Sequence, residues 1–344
     1  MKLSNLNSIL ILAVSFLKFS SAQKNLDASP LIISSNSEFG GAIEGASVDV
    51  NGEMFATNFD AKSFEIGRIT PSQSLYHTST SIGTSFNGIR FIPLTKSQVE
   101  QGIKSVAFLA NPKENQIAKI VEDKDGNIVQ SVFCKDKTLF LPNDVAFSYD
   151  NSKIYISAQN FTDDTVIGDG GLWICDGKSG EIIQLESLGR TNGVEVSPNE
   201  TTLYLSEAFN KGGKVISNKI WKFNIDKGTG KVSNQELFVD FEKLDGTQAV
   251  DIDGMRTDID GNLYVTRNGE GQVVVFSPKG SILSRIKLSS IIKTTNLEFG
   301  GKDGKTLFIV GACKDDDTKG CVDTIQNDIP GRAFSALKSL NGKS

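Results

Sequence analysis

Short runs in which apolar residues alternate with others fill this chain, and turn residues break them. Val194-Glu195-Val196 and Leu203-Tyr204-Leu205 are two such runs, with Ser197 to Thr202 between them. Period-two alternation puts successive side chains on opposite faces of a strand. Asp260-Gly261-Asn262 and Lys302-Asp303-Gly304-Lys305 read as hairpin turns, since Asn and Gly tolerate positive φ. Further strands are predicted at 171–177, 220–226 and 272–278. Helical periodicity is never sustained, and only 95–101 offers a short helix. The pattern predicts an all-β chain.

The strand pairs recur behind a common head, an oxygen-bearing residue followed by a small or polar one. The heads are Glu44, Asn87, Asn143, Asn192, Asp253 and Asn296, separated by 43, 56, 49, 61 and 43 positions. A strand-built repeat of about 40–60 residues marks a propeller. Six copies predict a single six-bladed β-propeller domain over residues 23–344. Such a ring usually closes by pairing strands from the two termini. Residues 31–33 and 331–337 are the expected partners.

The first 22 residues stand outside the repeat. Lys2, the apolar stretch Ile9 to Leu17 and the small residues Ser20-Ser21-Ala22 form a secretory signal pattern. The stretch is shorter than the ~18–20 residues of a membrane span. A secreted, extracellular protein without membrane contact after signal removal is therefore expected. Removing residues 1–22 leaves 34 basic against 41 acidic residues. That acidic balance speaks against nucleic acid and anionic membranes as partners; oligomeric state is not readable.

Export changes how the other residues read. Cys134, Cys175, Cys313 and Cys321 are an even set, open to three pairings. Cys313 and Cys321 bracket a polar loop and are expected to form a local disulfide. Cys134 and Cys175 close strands, and either join neighbouring blades or stay buried thiols. No CxxC spacing suggests a structural zinc. Asn160 and Asn199 head N-glycosylation sequons.

The heads carry the candidate chemistry. The innermost strand of each propeller blade starts near one face of the central channel, so equivalent residues converge on one axis. Six carboxylate and amide oxygens there suit a hard cation such as calcium. Asn-Gly and Asp-Gly are also common turn dipeptides, a reading that weakens when six copies align. The ring holds no His or Cys, which speaks against zinc and copper. Calcium leads, with magnesium, manganese or zinc as the other candidates. The sole histidine, His77, lies outside every head and leaves no Ser-His-Asp triad to build.

The segments TNGVEVSPNETTLYLSE, DGMRTDIDGNLYVT and TNLEFGGKDGKTLFIV resemble the later blades of the regucalcin, gluconolactonase and luciferin-regenerating-enzyme family of six-bladed propellers. LPNDVAFSYDNSKIYIS resembles that family's preceding Asn-Asp motif, and Glu44 stands where its first-blade Glu is expected. The resemblance implies a divalent metal held by Glu44, Asn143, Asn192 and Asp253. It also implies hydrolysis of a small-molecule lactone or ester. Asp253 is then the expected base, with Asn143 contacting both metal and substrate. Asp251, on the same side of an extended segment, is a second-shell or second-metal residue or the alternative base. Asn87 and Asn296 line the channel or form a second shell.

Family members acting on sugar lactones often carry a basic residue before the third-blade motif. Here Thr138-Leu139-Phe140-Leu141-Pro142 is apolar. Either the substrate is a less polar lactone or ester, or Arg90, Arg190 or Arg256 supplies the grip. The loop 160–169 either covers the site or is a plain acidic surface loop. The alternative function is a non-catalytic extracellular propeller that binds metal and ligand.

Overall fold

The computed structural model describes residues 23–59, 64–78, 85–150 and 152–343. The expected signal at 1–22 lies outside them. The chain forms six radial sheets, five of four strands and one of five. Their innermost strands are Ile43–Val48, Ile89–Phe91, Pro142–Ser148, Arg190–Val196, Asp251–Thr257 and Ile291–Gly300. Each innermost strand contacts that of the next blade, and the sixth returns to the first. This is the expected all-β six-bladed propeller.

Within each blade, strands run antiparallel and their apolar residues pack between sheets. Phe55, Phe91 and Tyr76 cluster between blades 1 and 2, with ring centres 4.7 to 6.1 Å apart. Gly261 (φ +84°) and Gly304 (φ +70°) occupy the predicted hairpin turns, where a side chain would be strained. The short helix is Lys96–Glu100, capped by the Thr95 side chain, which accepts from the Gln98 amide.

Ring closure uses one terminus only. Ser29–Ile32 adds to the outer edge of blade 6, antiparallel to Gly320–Gln326. Lys24–Asp27 runs parallel to Ile282–Lys287 on the edge of blade 5. The expected partner strand at 331–337 is instead a helix, Arg332–Leu340. Ala333, Phe334 and Leu337 are its buried apolar residues. Their three- and four-residue spacing is a helical stripe, not an alternating strand. The helix packs under the ring at the end opposite the heads, where Phe334 approaches the turns at Gly52 and Gly304.

Both disulfides form. Cys313–Cys321 staples a hairpin of blade 6, as expected. Cys134–Cys175 links the outermost strand of blade 2 to the third strand of blade 3. Two disulfides fit an oxidising compartment. Among the described residues, no helix is long and apolar enough to cross a membrane.

Candidate metal centre and active site

Four heads sit where their inner strands bulge. Register with the second strand shifts between Glu44 and Ala46, Pro142 and Val145, Thr191 and Val194, and Ile252 and Met255. A bulge leaves one residue unpaired and re-aims its side chain. Hydroxyls on the second strand hold the bulges in place. Ser157 Oγ accepts from the Asp144 amide at 3.0 Å. Ser206 and Thr266 accept from the Asn192 and Asp253 amides at 3.3 and 3.2 Å. Thr57 Oγ1 donates to the Asn87 carbonyl of the next blade at 2.8 Å. These hydroxyls fall 13 or 14 residues after a head in four copies. That recurring spacing was available in the sequence, and the head motifs alone did not reveal it.

The glycines after the heads are not turn residues. A Cβ on Gly45 would lie 2.2 Å from the Asn87 carbonyl oxygen, and one on Gly193 2.2 Å from that of Asp253. Gly88 and Gly254 would similarly strike Asp144 and Asn296 of the following blades. Glycine here allows neighbouring blades to meet closely at the axis, at ordinary φ.

The sixth copy is offset by one residue. Its register shift lies between Thr294 and Asn296, which puts Thr295 at the head position. Thr295 Oγ1 donates to the Ile43 carbonyl of blade 1 at 2.6 Å. Asn296 stands where the other copies place glycine or Asp144. Its Oδ1 accepts from the Leu297 amide at 3.0 Å, and its side chain abuts Gly254.

Asn87, Asn143, Asn192 and Asp253 are each only 7 or 8% exposed. Glu44 Oε2, Asn87 Oδ1 and Asn192 Oδ1 are buried without a hydrogen-bond partner. A buried unpaired oxygen costs about 1–3 kcal/mol. Burial, then the charges of Asp253 and Asp144, pushes the Glu44 carboxyl well above its ordinary value. Burial, against a hydrogen bond from Asn268, raises Asp253 to about 7. Asn268 Nδ2 donates to Asp253 Oδ2 at 3.1 Å.

Asp251 is engaged elsewhere. Its Oδ2 accepts from Arg190 Nη2 at 2.7 Å and its Oδ1 from Asn218 Nδ2 at 2.9 Å. Arg90 and Arg256 lie deeper in the channel. Arg256 meets Asp144 at 3.4 Å and Glu298 at 3.2 Å. Arg90 meets Asp144 at 3.8 Å and Glu195 at 3.9 Å. From the C-terminal helix, Arg332 donates to Glu195 at 2.6 Å and lies 3.5 Å from Glu200. Three guanidinium groups therefore face four carboxylates below the heads, and Glu44 and Asp253 add two more above. The channel carries an acidic surplus at the end where the orphaned oxygens lie.

The donor set fits a hard divalent cation. Glu44, Asn143, Asn192 and Asp253 would hold it, and the orphaned oxygens of Glu44 and Asn192 would gain the partner that they lack. Among the described residues, no three His, Cys, Asp or Glu side chains group as a metal site would. The ring has two carboxylates and completes its donors with amides. His77 lies on the outermost strand of blade 1 and meets Gln130 at 3.1 Å, away from the channel. Asn160 and Asn199 are both exposed.

Residues 90–312 match the SMP-30/gluconolactonase/LRE-like region. The chain belongs to that family. Among its relatives, the gluconolactonase of Zymomonas mobilis is 35% identical over 124 residues, 36% of this chain and 32% of that one. Regucalcin of Xenopus laevis is 31% identical over 124 residues, 36% of this chain and 38% of that one. These alignments cover about a third of each relative's length. The calcium-binding regucalcin of Agrobacterium tumefaciens shares the fold with a TM-score of 0.67 at 16% identity, over 89% of this chain and 96% of that one. The family match, from Arg90 to Ala312, takes in blade 2 beyond its head and the heads of blades 3 to 6, while Glu44 and Asn87 precede it.

Proposed function

We propose that this protein is a secreted, calcium-dependent lactone hydrolase. The observation that carries the reading is the set of buried, unpartnered oxygens on Glu44, Asn87 and Asn192 beside a carboxyl raised to about 7. The gluconolactonase and regucalcin relatives support it through their names and the shared family. A bound cation would polarise the lactone carbonyl and offset the negative charge that develops on its oxygen.

The chain's own residues do the rest. Asn143 orients the carbonyl from the third blade. Asp253 takes a proton from the attacking water as the new C–O bond forms. The ring C–O bond then breaks, and Asp253 returns the proton to the alkoxide, leaving a hydroxy acid. Asp251, bound to Arg190 and Asn218, is poorly placed to act as base. Its role is to hold the start of the fifth inner strand.

Hydrolysis of a panel of aldonolactones, alkyl lactones and aryl esters, with and without chelator, tests the reading. Turnover abolished by chelation and restored by calcium is expected. Turnover that survives chelation, or that Asp253→Ala leaves intact, overturns it.

A further inference from the structure

The entrance above the third and fourth heads presents exposed apolar side chains, and Arg190 beside it is engaged by the protein. Gln159 ends the second strand of blade 3 and Gly170 begins the third. The loop 160–169 therefore lies on the face where the inner strands start, the face of the heads. It is pinned in place. Asp169 accepts from the Thr162 hydroxyl and the Val166 amide, both at 2.9 Å. Asn210 Nδ2 donates to the Thr162 carbonyl at 3.0 Å. The Gly213 amide donates to the Asp163 carbonyl at 2.9 Å.

On this fixed loop Phe161, Val166 and Ile167 are 65, 61 and 62% exposed. Leu141, two residues before Asn143, is 40% exposed. The Phe161 ring centre lies 4.4 Å from the Arg190 guanidinium carbon. Arg190 itself donates to Gln159, Asn210 and Asp251. It is roofed by an aromatic ring, its two terminal nitrogens serve three protein acceptors, and its Nε, which has no partner, is buried beneath them, out of reach of a sugar hydroxyl at the entrance. Arg90 and Arg256 are spent in the channel below.

We propose that the substrate is a lactone bearing an alkyl or aryl substituent, which lies on Phe161 and Leu141 while the carbonyl meets Asn143 and Asp253. The inference rests on the lactonase reading and names its substrate class. A polyhydroxylated ring would have to strip water from its hydroxyls against apolar side chains that return no hydrogen bond. An alkyl chain gains by covering the same surface.

The test compares kcat/KM for δ-lactones with unsubstituted, butyl and hexyl side chains and for D-glucono-δ-lactone, in calcium. About a twofold gain per methylene is expected on this half-open surface, and the sugar lactone should be the poorest substrate. Phe161→Ser, which preserves the Asn160 sequon, should lower the hexyl-to-unsubstituted ratio about tenfold. Phe161→Leu should retain most of that ratio. Leu75→Ser, on an exposed outer strand of blade 1, should leave it unchanged. Hydrolysis without chain-length dependence, or with preference for the sugar lactone, overturns this inference and spares the parent reading. If no lactone is hydrolysed, the parent reading falls, and calorimetric binding of the matching alkyl δ-lactams decides the subsite. Affinity that rises with chain length and falls in Phe161→Ser upholds it; uniform or absent binding overturns it.

Discussion

Asn268 donates from its side-chain nitrogen to one carboxylate oxygen of Asp253, across adjacent strands of the same blade, at 3.1 Å. The bond fixes which oxygen faces the neighbouring amide and leaves the other for the axis. A carboxylate with free rotation would split its time between metal and protein partners. Asn268→Ala is expected to lower calcium affinity about 10–100-fold, as loss of a ligand's orienting partner does. Asn268→Ser should recover part of it. Calcium titration by calorimetry checks both.

Asp253 itself should be indispensable for turnover. Loss of a general base costs about 10²–10⁴-fold. Asp253→Asn keeps the shape and an oxygen donor but cannot take the proton. Its kcat is expected to fall by at least about a hundredfold, while the circular dichroism spectrum stays that of the parent.

Acid should weaken metal binding. Asp253 in the metal-free protein is raised to about 7, and burial also raises Glu44 well above its ordinary value. Both must lose protons to ligate a cation, so calcium affinity should fall as pH drops below about 7. The stability consequence has the opposite sign. A carboxyl whose folded pKa lies above its unfolded value makes the folded state the tighter proton binder. From pH about 4 to about 7 the metal-free fold therefore loses stability as pH rises, and calcium restores it. Melting with and without chelator at pH 5 and pH 8 should show a larger calcium effect at pH 8.

Arg332 holds the floor of the channel. Arg332→Ala would leave Glu195 buried without its 2.6 Å guanidinium partner, and Glu200 without the positive charge 3.5 Å away. Breaking a buried pair from one side costs about 3–5 kcal/mol. Urea unfolding should show a loss of that order. Arg332→Lys should recover only part of it, because one ammonium cannot reproduce the two-nitrogen grip on the Phe147 carbonyl.

Gly193 tests the close approach of blades. A methyl group there would stand 2.2 Å from the Asp253 carbonyl oxygen. Gly193→Ala is expected to displace Asp253 and lower kcat/KM on the order of a hundredfold, the cost of about an ångström of misplacement. A lactone assay on the folded variant checks it.

Much of this architecture was legible because the inner strand repeats its chemistry. Asn192-Gly193 and Asp253-Gly254 announce themselves, and the alternation behind them gives the strands. Thr295 was not legible as a head, because the neighbouring Asn296 carries the residue type that the other copies lead one to seek. The bulges explain this: they shift register locally, and a one-residue slip changes which side chain faces the axis. The channel charges were hidden for a different reason. Arg90, Glu195, Arg256 and Glu298 lie three residues beyond their heads, where charged residues on an alternating strand look like a solvated face. Only the closed ring makes that face interior. Arg332 was masked by reading 331–337 as a strand, although Ala333, Phe334 and Leu337 carry a helical spacing. The apolar entrance was half visible, in Leu141, while Phe161 needed the loop's anchorage to place it.

The outer edge of blade 6 is completed by Ser29–Ile32, and the edge of blade 5 carries Lys24–Asp27. This early segment of the chain thus waits for the last two blades before it has anywhere to dock. No partial chain emerging from a ribosome can finish the circle. Assembly must be settled after release, by a contact spanning nearly the whole length of the chain, which is entropically the slowest kind to make. A fusion that immobilises residues 24–32 would therefore strand the protein one edge short of a ring.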